Sequence, residues 1–304
     1  MSGAVLIVGI STITFWLLAL GAGDVGRQRL GVTATQEQVD QLNEELGRND
    51  PIIVQFTSWA SKAVRGDFGD SWFSSQSVSE LLKQRAPITL TLILASLFVA
   101  SLLAIVLGIL SAVRGGVIDR LVQAVGVIGF AIPGFLIAFG LVVWLAIDNK
   151  IFRATGYTKP SEDLGEWLRS VTLPVIALVF GSLAALSLQI RGAVRDTLDL
   201  DFVRTLRSRG LSERRVVYKH VLRNSAGPAL SVLGVTFIGL FGGAVIIERI
   251  FAIQGLGLTA VDSASNGDVP VVMGLVVFTA VMVVIANLIV DLISAWLNPK
   301  VRLS

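Results

Sequence analysis

Few side chains in this 304-residue chain are of the kinds that do covalent chemistry. There is one histidine, His220, and no cysteine. Without cysteine there is neither a disulfide nor a thiolate metal site. No Gly-Lys dipeptide occurs, so the phosphate-cradling loop of nucleotide hydrolases is absent. Ser182 follows Gly181 inside an apolar run, but His220 lies in a separate charged segment and cannot serve it as a base. No carboxylate pair or metal-ligand cluster falls inside an apolar run. The expectation is a chain that is not an enzyme and binds no metal or cofactor. What stands out is a segment built for recognition. Arg191 to Asn224 reads RGAVRDTLDLDFVRTLRSRGLSERRVVYKHVLRN, a long, highly charged stretch between two long apolar runs.

Within this cassette Asp196, Asp199 and Asp201 suit the positive N-terminal end of a short helix. Leu198, Phe202, Val203 and Leu206 would form its single apolar stripe. Gly210 is the natural left-handed stop. Ser212 can then cap a second helix, with Glu213 in its first turn and basic residues in its later turns. The cassette reads as helix, glycine elbow, helix, lying along a membrane face. A basic helix that only meets anionic lipid headgroups shares this composition. The tight elbow favours a stub that docks on a protein.

The elements around the cassette are greasy. The chain is 53% hydrophobic and 15% charged, against roughly 25% charged in soluble domains. A spanning helix needs about 20 apolar residues. Six runs free of Asp, Glu, Lys and Arg reach that scale: Met1–Gly23, Ala86–Val113, Leu121–Ile147, Ser170–Ile190, Asn224–Ile247 and Val269–Val290. The first lacks a basic leader and a small-residue cleavage site, and reads as a retained helix. The expected fold is all-α and integral to a membrane. It has six transmembrane helices, a cytoplasmic helix–elbow–helix loop and a small extracytoplasmic segment after the first helix. The expected segmentation is a first helix over 1–23, an outer segment over 24–85 and a core over 86–304. The core would hold helices at 86–113, 121–147, 170–190, 225–247 and 270–297, with the cassette at 191–224 and an outer loop at 248–269.

Positive charge sets the orientation. Connections 114–120, 191–223 and 298–304 hold 13 Lys and Arg in 47 residues, whereas 24–85, 148–169 and 248–268 hold 12 in 105. The first set is therefore expected in the cytoplasm, with both termini. Pro87, Pro174, Pro228 and Pro270 are expected near helix starts, where a missing N–H costs nothing. Pro133, in GFAIPGF, falls deep in a span and should kink it; it is a candidate hinge. Gly239 with Gly243, and Gly108 with Ala112, have the spacing of close helix packing. In the outer segment Thr35 should cap a helix that Gly47 ends. A second helix from Pro51 to Val64 would set Ile52, Phe56, Trp59 and Ala63 on one face. Asp291 is the one deep acid, a candidate gate residue or an interfacial partner for the basic loop. The small net charge of +3 gives no reason to expect nucleic acid. Membrane lipid is the expected surroundings.

The cassette resembles the cytoplasmic "EAA" loop of ABC-importer permeases. Its wording, DFVRTLRSRGLSERRVVYKHVLRN, is similar to the dipeptide, oligopeptide and nickel branch. So are ERIFAIQGLGLTAVDSASNGDVPVVMG, GDFGDSW, RGGVIDR and the tail DLISAWLNPKVR, all in order. The EAA positions fall on Arg204, Thr205 and Leu206, and the central glycine on Gly210. Gln254 stands where the branch often has proline, and Gly267 where arginine is common.

The resemblance implies a permease subunit in a bacterial or archaeal inner membrane. It implies two cytoplasmic ATPase subunits, a second, paralogous permease and an extracytoplasmic substrate-binding protein. The ATPases would bind ATP and Mg. The helix around Arg204–Glu213 would sit in an ATPase groove, through Arg204, Thr205, Leu206, Arg207, Arg209, Gly210, Leu211, Ser212 and Glu213. Glu248, Phe251, Gly255, Gly257 and Asp268 would belong to the outer loop that meets the binding protein. Di- or oligopeptides are the implied cargo, with nickel chelates, glutathione or haem as alternatives within the branch. A self-sufficient secondary transporter would want a coupling-ion site and matched broken repeats, and neither is evident.

Overall fold

The computed structural model describes residues 2–21, 23–74 and 76–297. The basic tail 298–304 lies outside the described residues. Among the described residues the only extended pairing is an isolated antiparallel bridge between Asp70 and Ser77. Everything else with regular structure is helical, as the long charge-free runs require. The chain forms two compact units.

The first unit comprises Met1–Thr89 and Gln254–Val284. It contains α1 (Ser2–Gly21), α2 (Val25–Leu30), α3 (Gln36–Glu45) and α4 (Ile52–Ala63). It also holds the start of α5 (Val78–Arg114), α12 (Leu256–Ser265) and the first part of α13 (Val269–Leu297). Thr35 caps α3 as expected: its hydroxyl accepts from Gln38 N, and Gln38 returns the bond to Thr35 N. Gly47 follows with φ +68°. The apolar face of α4 packs Ile52, Phe56 and Trp59 against Phe15, Val269 and Met273. A second cluster joins Val78, Leu82 and Ala86 to Leu256, Val271 and Leu275.

The second unit comprises Leu90–Ile253 and Ile285–Ser304. It holds the rest of α5, then α6 (Gly116–Ala131) and α7 (Gly134–Leu141), which continues as a π-helical segment Val142–Asp148. Next come α8 (Leu164–Leu198), α9 (Asp201–Ser208) and α10 (Glu213–Arg215). A π-helical segment Val216–Val221 leads directly into α11 (Leu222–Ile250). Helix α8 packs against α6, α7 and α11 and buries Leu173, Leu186, Ile190 and Val194. A Cβ added at Gly108, Gly126 or Gly129 would lie 2.8 Å from Ile190, Leu188 or Ala184. A side chain at any of these positions would have to displace its neighbour. The packing role expected of Gly108 is thus observed. Gly243 lies against Leu178, while Gly239 has no neighbouring atom within 4 Å of such a Cβ.

Among the described residues five helices are long and apolar enough to cross a membrane, or six if α6 and α7 together make one span. The pair is bent by 90°, well beyond a kink. Pro133 cannot donate to the preceding turn and forces Ile132 into an extended conformation. The other prolines depart from expectation. Only Pro270 sits in a first turn. Pro87, Pro174 and Pro228 lie inside α5, α8 and α11. The polar stretches before these prolines are good helix formers, so each helix starts well before its apolar run.

Candidate functional site

The cassette folds around its glycine. Val203 is buried on α9, with Phe202 and Leu206 half-buried beside it. Helix α9 packs against the segment Val216–Val221, where Val216, Val217 and Val221 are buried. Gly210 has φ +77°. Its N–H donates to Arg207 O at 3.0 Å, and Leu211 N–H donates to Leu206 O at 3.3 Å. These two bonds close the helix end as a left-handed cap does. Arg207 then reaches back over the turn: its Nε donates to Glu213 Oε2 at 3.0 Å and its Nη2 to Oε1 at 2.5 Å. The Arg207 and Glu213 side chains are 44% and 54% exposed. Glu213 raises the pKa of the Arg207 guanidinium by accepting these bonds.

Details of the cassette differ from the sequence reading. Helix α8 runs through Leu198, so Asp196 lies in its last turns and Asp199 caps it; only Asp201 opens α9. Ser212 occupies the N-cap position of α10 without a side-chain capping bond. The helix it opens does not stop inside the cassette. It continues through Pro228 as one 38-residue helix, Glu213–Ile250.

The nine residues assigned to the knuckle are brought together on one short stretch. Arg204 is 75% exposed, with Asp201 at 3.6 Å. The Thr205 hydroxyl donates to Asp201 O at 3.1 Å. Arg209, Gly210, Ser212 and Glu213 are exposed, and Leu206 and Leu211 are half-buried.

A second charged cluster was missed in the sequence. Asp119, from RGGVIDR, is buried in α6. Arg191 Nε contacts its Oδ1 and Arg191 Nη2 donates to Oδ2 at 2.8 Å. Arg195 Nη1 donates to Oδ2 at 3.2 Å, and the buried Ser111 hydroxyl to Oδ1 at 2.6 Å. The signal available was slight: one acid in a short basic turn, and two arginines one helical turn apart where the cassette begins.

The five outer-loop residues are all buried. In the second unit, Glu248 and Phe251 have relative exposures of 0% and 1%. Ile253 N–H donates to Glu248 O at 2.8 Å, and Gly156 N–H to Phe251 O at 2.8 Å. In the first unit, Gly255, Gly257 and Asp268 are buried. Asp268 accepts from the Ser71 hydroxyl at 2.5 Å and from Trp72 N–H at 3.2 Å. This pairing joins GDFGDSW to the start of α13. Leu256 N–H donates to the Thr89 hydroxyl at 2.7 Å. In the first unit, Gln254, Asp262 and Asn266 are exposed.

A cavity of about 520 Å³ opens beside the α6–α7 break. Pro133, Gly181, Ser182, Thr236, Gly239 and Gly243 are among its lining residues. Its wall carries no charge. Ser182 donates to Leu178 O at 2.9 Å and Thr236 to Val232 O at 2.9 Å, so both hydroxyls are engaged by their own helices. Asp291 does not line this cavity; it is exposed on α13, with no ion pair among the described residues. No group of three or more potential metal ligands occurs among the described residues.

The described residues thus form a helical chain with five or six candidate membrane spans and an exposed, self-tied knuckle. It belongs to the family of binding-protein-dependent transport system inner membrane components, whose model matches residues 104–303. The N-terminal model of the same kind of component matches residues 1–93. The chain is 34% identical over 301 residues to the oligopeptide transport system permease protein AppB of Bacillus subtilis, covering 98% of this chain and 95% of that protein. It is 32% identical over 303 residues to the dipeptide transport system permease protein DppB of the same organism, covering 99% and 95%. Its fold is shared with a solved chain described under inward-facing conformations of the MetNI methionine ABC transporter. That match has a TM-score of 0.57 and 18% identity, and covers 72% of this chain and 96% of the other.

Proposed function

We propose that this chain is the membrane subunit of an ATP-driven importer of di- and oligopeptides. It moves cargo by alternating access, driven by two cytoplasmic ATPase subunits. The exposed knuckle at Gly210 carries the reading. It is a stub held by its own bonds at the head of a long helix, in a chain without a nucleotide-binding loop. ATP-driven closure of the motors moves the stub, and α10–α11 move with it. Arg204, Leu206, Arg209 and Leu211 supply the polar and apolar contacts to the motor. The peptide cargo is supported by the relatives named for oligopeptide and dipeptide transport.

The segmentation inferred from the charge-free runs serves as the bilayer assignment. The excess of positive charge puts the cassette and both termini in the cytoplasm. A second, paralogous permease completes the pathway, and an extracytoplasmic binding protein delivers cargo to segment 24–85 and loop 248–269. Pro133 is the hinge of its span, and Asp291 contributes to the cytoplasmic gate.

Purification of the tagged chain from its native membrane tests the partners: two ATPase chains should travel with it. Uptake of labelled di- and tripeptides by a deletion strain, with and without the restored gene, tests the cargo. Peptide uptake that does not depend on the gene, with gene-dependent uptake of a nickel chelate, glutathione or haem, would overturn the peptide assignment. Purification without any ATPase, from membranes that still transport, would overturn the importer.

A further inference from the structure

We infer that Arg207 and Glu213 are positioning residues: their ion pair fixes the angle of the knuckle and neither side chain grips the ATPase. The inference rests on the coupling reading above. Helix α9 is eight residues long, too short to hold itself helical in water. Gly210 joins it to the next helix through the softest torsions available to a chain. The covalent path alone therefore leaves the angle between α9 and α10 loose.

Beside the two backbone bonds at Gly210 and Leu211, two ties restrict that freedom. On one side Val203 is buried and α9 lies on Val216–Val221. On the other, the Arg207 guanidinium meets both oxygens of Glu213, at 3.0 and 2.5 Å. A fork that engages two oxygens fixes a plane as well as a distance, whereas a single contact acts as a swivel. The partners are six residues apart and lie on opposite sides of the glycine turn. They are not an ordinary pair on the face of one helix. Their charges are committed to each other, whereas Arg204, loosely paired with Asp201 at 3.6 Å, and Arg209 stay exposed on α9 and at its end.

The test uses the whole importer in proteoliposomes, with ATPase and peptide uptake measured together. Arg207→Glu and Glu213→Arg each set like charges across the elbow. Each should lower peptide moved per ATP hydrolysed by about tenfold, while the ATPases still co-purify. The double swap should return that ratio to within about threefold of wild type, because the two changes share one interaction. Arg207→Lys keeps the charge without the fork and should fall between. A swap no better than the worse single variant overturns the positioning role, since both side chains would then touch the motor. Variants that reduce only the amount of assembled complex, at an unchanged ratio, also overturn it. Arg209→Glu serves as a separate reference. If Arg209→Glu and both single reversals leave uptake and ATPase association intact, the coupling reading itself falls.

Discussion

The cassette is held by arginine and carboxylate at its start and again at its elbow, yet the two pairings are different devices. At its start Asp119 is packed away and takes four donors from Arg191, Arg195 and Ser111. The Asp119 and Arg191 side chains are only 11% and 19% exposed. At the elbow, Arg207 and Glu213 hold each other in the open. Removing one partner of a buried pair strands a charge that water cannot reach. Removing one partner of an exposed pair returns the other to solvent at little cost. The first pair therefore belongs to the architecture, and the second sets an angle.

The sharpest way to break that contrast is Asp119→Ala. It should destabilise the folded chain by about 3–5 kcal/mol, seen as a collapse in detergent-extracted yield and melting temperature. A loss no larger than that of an elbow variant would erase the distinction. Gly210→Ala comes next. A side chain at φ +77° costs about 1–2 kcal/mol, and thermal unfolding with parallel uptake would show a modest melting shift and a large transport defect. The first unit offers a third case, in which a buried carboxylate is served by neutral donors. Ser71→Ala should cost about 1–3 kcal/mol by leaving Asp268 short of a partner, read in the same melts. Smallest is Arg207→Gln, expected to change stability by less than about 1 kcal/mol and to act on coupling alone.

The contrast also separates what is legible in a sequence from what is not. The cap at Thr35, the stops at Gly47 and Gly210 and the apolar face of α4 are local signals, each contained within a turn or two. All four features are found. The Asp119 cluster joins residues 72 and 76 positions apart, and nothing near either end announces the other. Proline misled in the opposite way. It was read as a start signal, but the polar residues ahead of Pro87, Pro174 and Pro228 continue the helix outward. The residues assigned to the outer loop show a third limit of the sequence. Charged and glycine residues in a connection look exposed, whereas Glu248 and Asp268 are buried. Burial depends on what packs above a residue, and that information is spread over the whole chain.

The 38-residue helix Glu213–Ile250 is a beam about 57 Å long at 1.5 Å per residue. Its soft points are known. One is the π-helical stretch Val216–Val221, and the other is Pro228, where a backbone hydrogen bond is missing. Both come before Val232, the first of its residues to border the large cavity. A push on the stub at Gly210 would therefore meet both soft points before it reached the part of the helix that borders the cavity.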